Sequence, residues 1–181
     1  MSYLGLFIGS MKSGKTSRLI ELNRKYTFIG KRVVVINYAG DTRYSTENMV
    51  SHDGAQIPCI MADTLASVFE THNSAIQSAD VILINEGQFF PDLKEVVIWY
   101  VEELGKRVYI AGLDGDFKRE KFGSLLDLIP MCDEVVKLHA ICAQCRDGTP
   151  AIFSKRITEE ADQVVIGTDN YMSVCRECYR K

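Results

Sequence analysis

The stretch Gly9-Ser10-Met11-Lys12-Ser13-Gly14-Lys15-Thr16 decides the fold of this chain. It fits the pattern G-x-x-x-x-G-K-[ST], a glycine-rich loop whose backbone N–H groups surround nucleotide phosphates. An apolar segment, 3–8, precedes the loop, and apolar residues at helical spacing follow it: Leu19, Leu22, Tyr26 and Ile29. Strand, loop and helix in this order are the context that the motif requires. The sequence therefore predicts a nucleoside triphosphate site.

Each residue type in this loop has a chemical reason. Glycine leaves room for consecutive backbone N–H groups to face phosphate oxygens at the positive end of the new helix. Lys15 places an ammonium against the outer phosphates, and the Thr16 hydroxyl is a ligand for the accompanying Mg²⁺. We therefore expect every residue of the loop to surround the nucleotide and its metal.

Length, charge and cysteine content narrow the class of protein. The 181 residues suit one medium domain, or one domain with a small appendage. A net charge of −3 gives no global positive field that would recruit nucleic acid or an acidic membrane. We expect no secretory signal, and no apolar stretch approaches the length of about 18 residues that a membrane helix needs. Six cysteines then favour a reducing compartment, so we expect a cytoplasmic protein.

Residues 1–139 alternate strand-like and helix-like segments. Apolar runs predict strands at 31–38, 81–84, 108–113 and 134–138, and helical spacing predicts a helix over 91–104 that Gly105 ends. This alternation predicts a parallel sheet covered by helices, with ligands at the carboxyl ends of the strands. From residue 140 the sequence changes to two cysteine pairs around a loop-like middle. We therefore divide the chain into a nucleotide-binding α/β domain, 1–139, and a second domain, 140–181.

Polar residues at the ends of two predicted strands complete the nucleotide site. Asn85 and Glu86 follow strand 81–84, and in phosphate-loop enzymes an acidic residue at such a strand end helps to hold magnesium. Glu86 is therefore a metal ligand, a base that takes a proton from a substrate hydroxyl, or a solvated carboxylate. Asp41 and Arg43 follow strand 31–38. Arg43 would stabilise charge on a transferred phosphoryl group, unless the two residues are a surface pair.

Two C-x-x-C pairs mark the C-terminal part of the chain. Their residues are Cys142, Cys145, Cys175 and Cys178. Each pair directs two thiolates at one point, and two pairs complete a tetrahedral site that suits zinc. A redox pair is the alternative, but the sequence shows no strand-to-helix redox context. Four cysteine ligands leave no open position for catalysis, so we expect structural zinc. Cys59 and Cys132 are expected to be small buried apolar residues.

Charge in the C-terminal part is balanced. Segment 140–181 contains six Lys or Arg residues and six Asp or Glu residues. A surface that follows nucleic-acid phosphates would show a basic excess. The balance favours a structural clip, and the alternative is a nucleic-acid-dependent ATPase with a zinc ribbon.

Together the motifs resemble one family, the cellular-type (type II) thymidine kinases, over essentially the whole chain. The phosphate loop and both cysteine pairs carry the resemblance, with five further motifs: Asp41-Thr42-Arg43-Tyr44, Asn85-Glu86-Gly87-Gln88-Phe89-Phe90, Leu113-Asp114-Gly115-Asp116-Phe117, Phe153-Ser154-Lys155-Arg156 and Tyr171-Met172-Ser173-Val174-Cys175. The resemblance implies a RecA-like α/β domain with a small zinc domain, commonly assembled as a tetramer. It also implies transfer of the γ-phosphate of ATP to the 5′-hydroxyl of thymidine, with deoxyuridine accepted. The product would be dTMP for nucleotide salvage, and dTTP would be a feedback inhibitor.

The resemblance further implies individual roles in catalysis. Glu86 matches the family's general base, and Lys15 with Arg43 matches its phosphate-stabilising charges. The remaining residues expected near ATP and its magnesium are Asp41, Asn85 and Gln88.

The nucleoside pocket is implied in the same way. Phe117 matches the aromatic residue that stacks on the base, and the walls match Phe89, Leu113 and Phe122. The segment between the cysteine pairs matches a lasso loop that closes over the nucleoside. Its backbone would hydrogen-bond the thymine edge at Val164, Val165, Ile166 and Gly167, and Tyr171 would line the pocket. Fixing both ends of this loop to one zinc limits its entropy and sets its reach.

Three positions depart from the family's pattern. Asn85 stands where the family usually has Asp, and one missing electrostatic contact of this kind can cost about 3 kcal/mol. Ile166-Gly167 replaces a Gly-Gly pair common in animal and poxviral members, and Asp116 replaces the more usual Thr beside the nucleoside pocket. The alternative function is therefore a catalytically weakened relative that binds nucleotides without turnover.

Overall fold

The structure, a computed structural model, describes residues 1–40, 47–160, 162–163 and 170–181. Its strands are β1 (Tyr3–Gly9), β2 (Val33–Tyr38), β3 (Asn48–Val50), β4 (Gln56–Pro58), β5 (Ile60–Ala62), β6 (Val81–Asn85), β7 (Arg107–Gly112), β8 (Glu134–Leu138), β9 (Ala140–Ile141), β10 (Pro150–Ala151), β11 (Phe153–Arg156) and β12 (Tyr171–Val174). Its helices are α1 (Lys15–Phe28), α2 (Leu65–Thr71), α3 (Asn73–Ser78), α4 (Leu93–Glu102) and α5 (Arg176–Arg180), with 3-10 helices at Gly87–Phe89 and Leu125–Met131. Within these residues no helix has the length and apolar character that a membrane span requires.

Six strands form one parallel sheet in the order β5-β2-β6-β7-β1-β8. This confirms the predicted sheet, and every strand predicted from an apolar run is present. The β3–β4 hairpin and the strand β5 were not predicted, because strands of three residues are too short to show a pattern. Since all six strands point the same way, the carboxyl ends of β1, β2 and β6 meet at one edge of the sheet.

Helices cover both faces of this sheet, as predicted. Along β6, Ile82 and Ile84 face one apolar layer, and Val81 and Leu83 face the other. The first layer contains residues of α2, α3 and α4, and the second contains residues of α1. Burial on both faces explains why the strands read as continuous apolar runs rather than alternating ones.

Two helix boundaries differ from the predictions. The predicted helix 91–104 is α4, Leu93–Glu102, and Gly105 follows with a φ of 63°, as expected of a glycine that ends a helix. The prediction that Ile29 lies on the apolar face of α1 is wrong, because α1 ends at Phe28. Phe28 and Ile29 lie at the surface, with 90% and 62% of their area exposed to solvent.

The residues from 140 onward form a small unit with apolar contacts of its own. β9 pairs with β10 and β11 pairs with β12, both antiparallel, and α5 follows. Its buried residues are Ala140, Cys142, Ala151, Val174, Cys175 and Cys178. The division of the chain at residue 140 stays a prediction.

Asp92 joins α4 to the start of α2, and this contact yields a stability prediction. Its Oδ1 accepts from the Leu65 N–H at 3.0 Å and its Oδ2 from the Ala66 N–H at 2.8 Å. These first-turn N–H groups have no partner within the helix. Asp92→Asn removes one acceptor and the charge, so we expect urea denaturation to show a loss of about 1–2 kcal/mol in unfolding free energy. The exposed Asp63 provides the control, Asp63→Asn. Equal losses in the two variants would contradict the capping role.

Candidate active site

The phosphate loop connects β1 to α1, as predicted. Gly9 has a φ of 150°, and a Cβ at this position would lie 2.2 Å from the carbonyl oxygen of Leu138, so a side chain does not fit. Lys12 and Gly14 also have positive φ, at 59° and 84°. Left-handed residues of this kind turn neighbouring N–H groups into one concavity, which is the geometry that binds anions.

Lys15, at the start of α1, folds back across this loop. Its Nζ donates to the carbonyl oxygen of Ser10 at 2.7 Å and lies 3.5 Å from the Ser13 Oγ. The side chain is buried, so its ammonium is held within the loop rather than in solvent. A cation held here faces the place where the sequence predicts phosphates.

Asn85 ties the end of β6 to the phosphate loop. The Thr16 Oγ1 donates to the Asn85 Oδ1 at 3.2 Å, and the Asn85 Nδ2 donates to the Asn37 Oδ1 at 2.8 Å. Asn37 and Asn85 are register partners at the carboxyl ends of β2 and β6, and each is 3% exposed. The amide pair satisfies buried polar groups without burying a charge. The two oxygens at Thr16 and Asn85 are of the hard type that Mg²⁺ prefers, so the residues present fit the predicted magnesium.

Glu86 follows with a backbone conformation that is uncommon for a residue with a side chain. Its φ is 56°, and conformations of this kind concentrate at functional sites. The Glu86 Oε2 accepts from the Gln88 Nε2 at 2.6 Å, and the Gln88 Oε1 accepts from the Leu113 N–H at 3.0 Å. Gln88 is buried, so it orients Glu86 from the interior and links it to Leu113. The ATP contact expected of Gln88 stays a prediction.

Aromatic side chains lie next to Glu86. The Phe89 ring stacks on Tyr38 with 5.1 Å between ring centroids, and Phe122 meets Phe89 edge-on at 5.3 Å. Pairs in these orientations are favourable beyond the apolar area they bury. The structure therefore brings together Phe89 and Phe122, two of the predicted pocket walls.

Arg156 joins the other two aromatic residues of the predicted pocket. Its guanidinium carbon lies 3.8 Å from the Phe117 ring centroid and 5.1 Å from that of Tyr171, both within range of a cation–π contact. It also donates to the Tyr171 hydroxyl and to the carbonyl oxygens of Glu160 and Asp162, the last two at 2.7 and 2.5 Å. One face of Phe117 is thus covered by Arg156. Stacking of a base on Phe117 stays a prediction. The base would have to stack on the opposite face of the ring, or Arg156 would have to move away.

Asp116, which precedes Phe117 in the chain, is buried. Its Oδ1 accepts from the N–H groups of Lys118 and Glu120 at 2.8 and 2.9 Å, and its Oδ2 accepts from the Gln163 Nε2 at 2.8 Å. Three donors stabilise the carboxylate locally. Asp116 therefore orders the turn after Phe117 and ties it to Gln163.

The four cysteines of the C-x-x-C pairs converge as predicted. Their Sγ atoms all lie within 4.8 Å of one another, with Cys145 3.8 Å from Cys175 and 3.4 Å from Cys178. A tetrahedral zinc with Zn–S bonds of about 2.3 Å separates its sulfurs by about 3.8 Å. The cluster therefore fits zinc. Cys59 and Cys132 lie outside the cluster and are partly buried, in contact with the apolar layers.

Thiols of the cluster perturb one another's pKa values in opposite directions. Burial raises the pKa of Cys142, but backbone N–H donors from Cys145, Cys175 and Gln144 outweigh it and lower that pKa to about 6. Hydrogen bonds to the other cysteines, that to Cys178 foremost, raise the pKa of Cys145. Sulfurs this close oppose one another's ionisation, and a bound cation removes that opposition.

The thymidine kinase family model matches residues 2–179. This chain belongs to the thymidine kinase family. The chain is 41% identical over 180 residues to a thymidine kinase of Yaba monkey tumor virus (strain VR587), covering 99% of this chain and 95% of the relative. It is 43% identical to a thymidine kinase of Variola virus (isolate Human/India/Ind3/1967) and 42% identical to one of Vaccinia virus (strain Ankara), each over 98% of this chain and 96% of the relative.

A solved structure shows a weaker likeness. It is the crystal structure of a DNA replication initiation factor, with a TM-score of 0.47 and 16% identity, covering 76% of this chain and 40% of that chain. A likeness at this level bears on neither activity nor partners.

Sequence reasoning missed three residues of this member of the thymidine kinase family. Asn37 lies one residue before the end of β2, after a run of β-branched residues, and its amide at that position was the available signal. Ser154 and Ser173 lie inside two of the quoted motifs, but nothing in the sequence indicated what they contact. In the structure both hydroxyls contact the phosphate loop at Met11.

Six residues expected in the site lie outside the part of the chain that the structure describes. They are Asp41, Arg43, Val164, Val165, Ile166 and Gly167. Their roles stay predictions.

Metal content tests the cysteine cluster. We expect one zinc per chain, measured by atomic emission on purified protein, because four sulfurs at these distances match one tetrahedral ion. Cys145→Ser should lose most of the metal, since a hydroxyl is a poor zinc ligand. Cys132→Ser, outside the cluster, should retain it. Equal zinc contents in the two variants would show that the cluster is not the metal site.

Proposed function

We propose that this chain is an ATP-dependent thymidine kinase, which transfers the γ-phosphate of ATP to the 5′-hydroxyl of thymidine and gives dTMP for nucleotide salvage. The observation that carries the proposal is the hydrogen bond between Thr16 and Asn85, which brings the phosphate loop to the strand end that bears Glu86. Phosphate-loop enzymes hold the nucleotide's magnesium between these two elements. The named relatives support the substrate, and we expect deoxyuridine to be accepted as well.

The chemistry requires a base and fixed positive charge. Glu86 takes the proton of the 5′-hydroxyl as that oxygen bonds to the γ-phosphorus and the bond to the bridging oxygen of ADP breaks. Lys15 and Arg43 offset charge on the phosphoryl group during transfer, with Asp41 near the nucleotide. Thr16 and Asn85 would hold Mg²⁺, which would supply positive charge against the outer phosphates. The Gln88 contact supports this assignment, because it keeps the Glu86 carboxylate oriented.

We assign the nucleoside pocket to the aromatic residues and the lasso loop. We assign base stacking to Phe117, and the walls to Phe89, Leu113, Phe122 and Tyr171. The hydrogen bonds from Arg156 to the carbonyl oxygens of Glu160 and Asp162 support a lasso that starts from an ordered base. Backbone groups of 164–167 would then recognise the thymine edge.

We also propose a domain division, an assembly and a regulator for this thymidine kinase. Residues 1–139 bind ATP, and 140–181 form a structural zinc domain that carries the lasso. We propose a cytoplasmic homotetramer, in which the exposed Phe28 and Ile29 at the end of α1 and the exposed Val135 on the edge strand β8 offer apolar surface to another subunit. We propose dTTP as a feedback inhibitor, because it combines the base of the substrate with a triphosphate. The balanced charge of 140–181 supports a protein that does not bind nucleic acid.

Turnover of the unaltered chain is the direct test. With Mg-ATP and thymidine we expect dTMP, identified by mass spectrometry. Asn85→Asp adds a negative charge beside the magnesium and should lower the Mg²⁺ concentration for half-maximal rate by about tenfold. Gln77→Glu is the control, since it adds the same charge on an exposed residue that precedes the amino end of β6. Absence of dTMP from both the unaltered chain and Asn85→Asp would favour the non-catalytic alternative.

Glu86→Gln separates the base from the binding groups. The amide keeps the shape of the side chain but cannot take a proton, so kcat should fall by about 10²–10⁴-fold while the KM for ATP changes little. Glu95→Gln removes an exposed carboxylate of α4 and should retain full activity. A loss below about fivefold in Glu86→Gln would assign the proton transfer to another group.

A further inference from the structure

Two serines of the C-terminal unit hold the backbone of one residue of the phosphate loop, Met11. The Met11 N–H donates to the Ser154 Oγ at 3.0 Å, and the Ser173 Oγ donates to the Met11 carbonyl oxygen at 2.6 Å. Both polar groups of Met11 therefore have partners on the other unit. A third bond, from the Ser10 Oγ to the Ala151 carbonyl oxygen at 3.2 Å, reinforces the contact.

Strand pairing places the two serines for this contact. Ser154 on β11 and Ser173 on β12 are directly opposite each other in the antiparallel pair, so their side chains leave the same face. They are 5% and 4% exposed. Serine at two buried strand positions is unfavourable unless each hydroxyl has a partner, and Met11 provides one to both.

Met11 lies directly before a left-handed residue of the loop. Lys12, the next residue, has a φ of 59°, and the concavity that faces phosphates runs from there to α1. Because the Met11 N–H donates to Ser154, its role is to hold the loop in place rather than to bind a phosphate. Fixing the two peptide groups that flank the Met11 Cα orients the N–H groups that follow, which must converge on phosphate oxygens without reorganising.

The pair of strands β11 and β12, called the β11–β12 hairpin below, also leads to the cysteine cluster and to the lasso. β12 leads directly into Cys175, whose N–H donates to the Cys142 Sγ at 3.3 Å. β11 ends at Arg156, the residue that binds the Glu160 and Asp162 carbonyls. One pair of strands therefore connects the cysteine cluster to the phosphate loop as well as to the lasso.

We propose that Ser154 and Ser173 are positioning residues for ATP, and that the C-terminal unit shapes the phosphate loop in addition to carrying the lasso. This inference rests on the proposed function, in which the loop binds ATP. It assigns to the β11–β12 hairpin a part in binding the phosphate donor.

The test measures the two substrates separately by titration calorimetry. Mg-ATP is titrated without nucleoside, thymidine is titrated without ATP, and zinc content is determined for every variant. Ser173→Ala and Ser154→Ala should each weaken ATP binding by about 5–10-fold, because a buried backbone group loses its partner. Thymidine affinity should change by less than about twofold, and zinc content should not change.

Two further variants separate hydrogen bonding from packing. Ser173→Thr keeps the hydroxyl and should restore ATP affinity to within about threefold of the unaltered chain. Thr149→Ala is the control. It removes a hydroxyl of the C-terminal unit that donates to Asp147 and not to Met11, so ATP affinity should not change.

The outcomes are distinct from those of the proposed function. Unchanged ATP affinity in both alanine variants overturns the positioning role even if the unaltered chain makes dTMP. Equal losses of ATP and thymidine affinity, or of zinc, also overturn it, because they indicate general damage to the C-terminal unit. If the unaltered chain binds ATP but makes no dTMP, the proposed function is contradicted. The ATP affinities of the two alanine variants still decide whether Ser154 and Ser173 are positioning residues.

Discussion

The Thr16–Asn85–Asn37 chain of hydrogen bonds is the constraint on which the nucleotide site depends. It exists because β2 and β6 are parallel neighbours in a register that places Asn37 beside Asn85. A slip of one residue would turn Asn85 into the layer that Ile84 occupies and would move Glu86 away from the loop. The strand register therefore determines which polar side chain meets Thr16.

The parallel sheet was predictable because its strands are buried on both faces. The apolar runs 81–84 and 108–113 have no polar alternation, and helices separate them in the chain, which leaves few other arrangements. The end of α1 was not predictable from spacing, since Phe28 and Ile29 continue the apolar pattern yet lie at the surface. Apolar spacing alone does not distinguish a core face from apolar side chains that lie at the surface.

The phosphate loop and the cysteine cluster could be predicted from sequence because each has a fixed spacing that reflects a local geometry, and Glu86 could be predicted to follow a buried strand. The residues that orient them could not. Gln88 reaches Glu86 through a turn with a left-handed residue, and Ser154 reaches Met11 across 143 positions of the chain. The contact between Ser154 and Met11 depends on how the C-terminal unit packs against the phosphate loop, and no local sequence pattern encodes that packing.

The neutral side chain at Asn85 follows from its neighbours rather than from a loss of function. The Asn85 Nδ2 donates to the Asn37 Oδ1, and the Asn37 Nδ2 lies 3.6 Å from the Met61 sulfur. A carboxylate at 85 would face the Asn37 oxygen until that amide turned over and gave up its contact with Met61, in a site where both residues are 3% exposed. An amide satisfies both partners and still presents an oxygen to Thr16. If Thr16 and Asn85 hold Mg²⁺ as proposed, residue 85 contributes an oxygen to the metal without a full charge, and the phosphates supply the balancing negative charge.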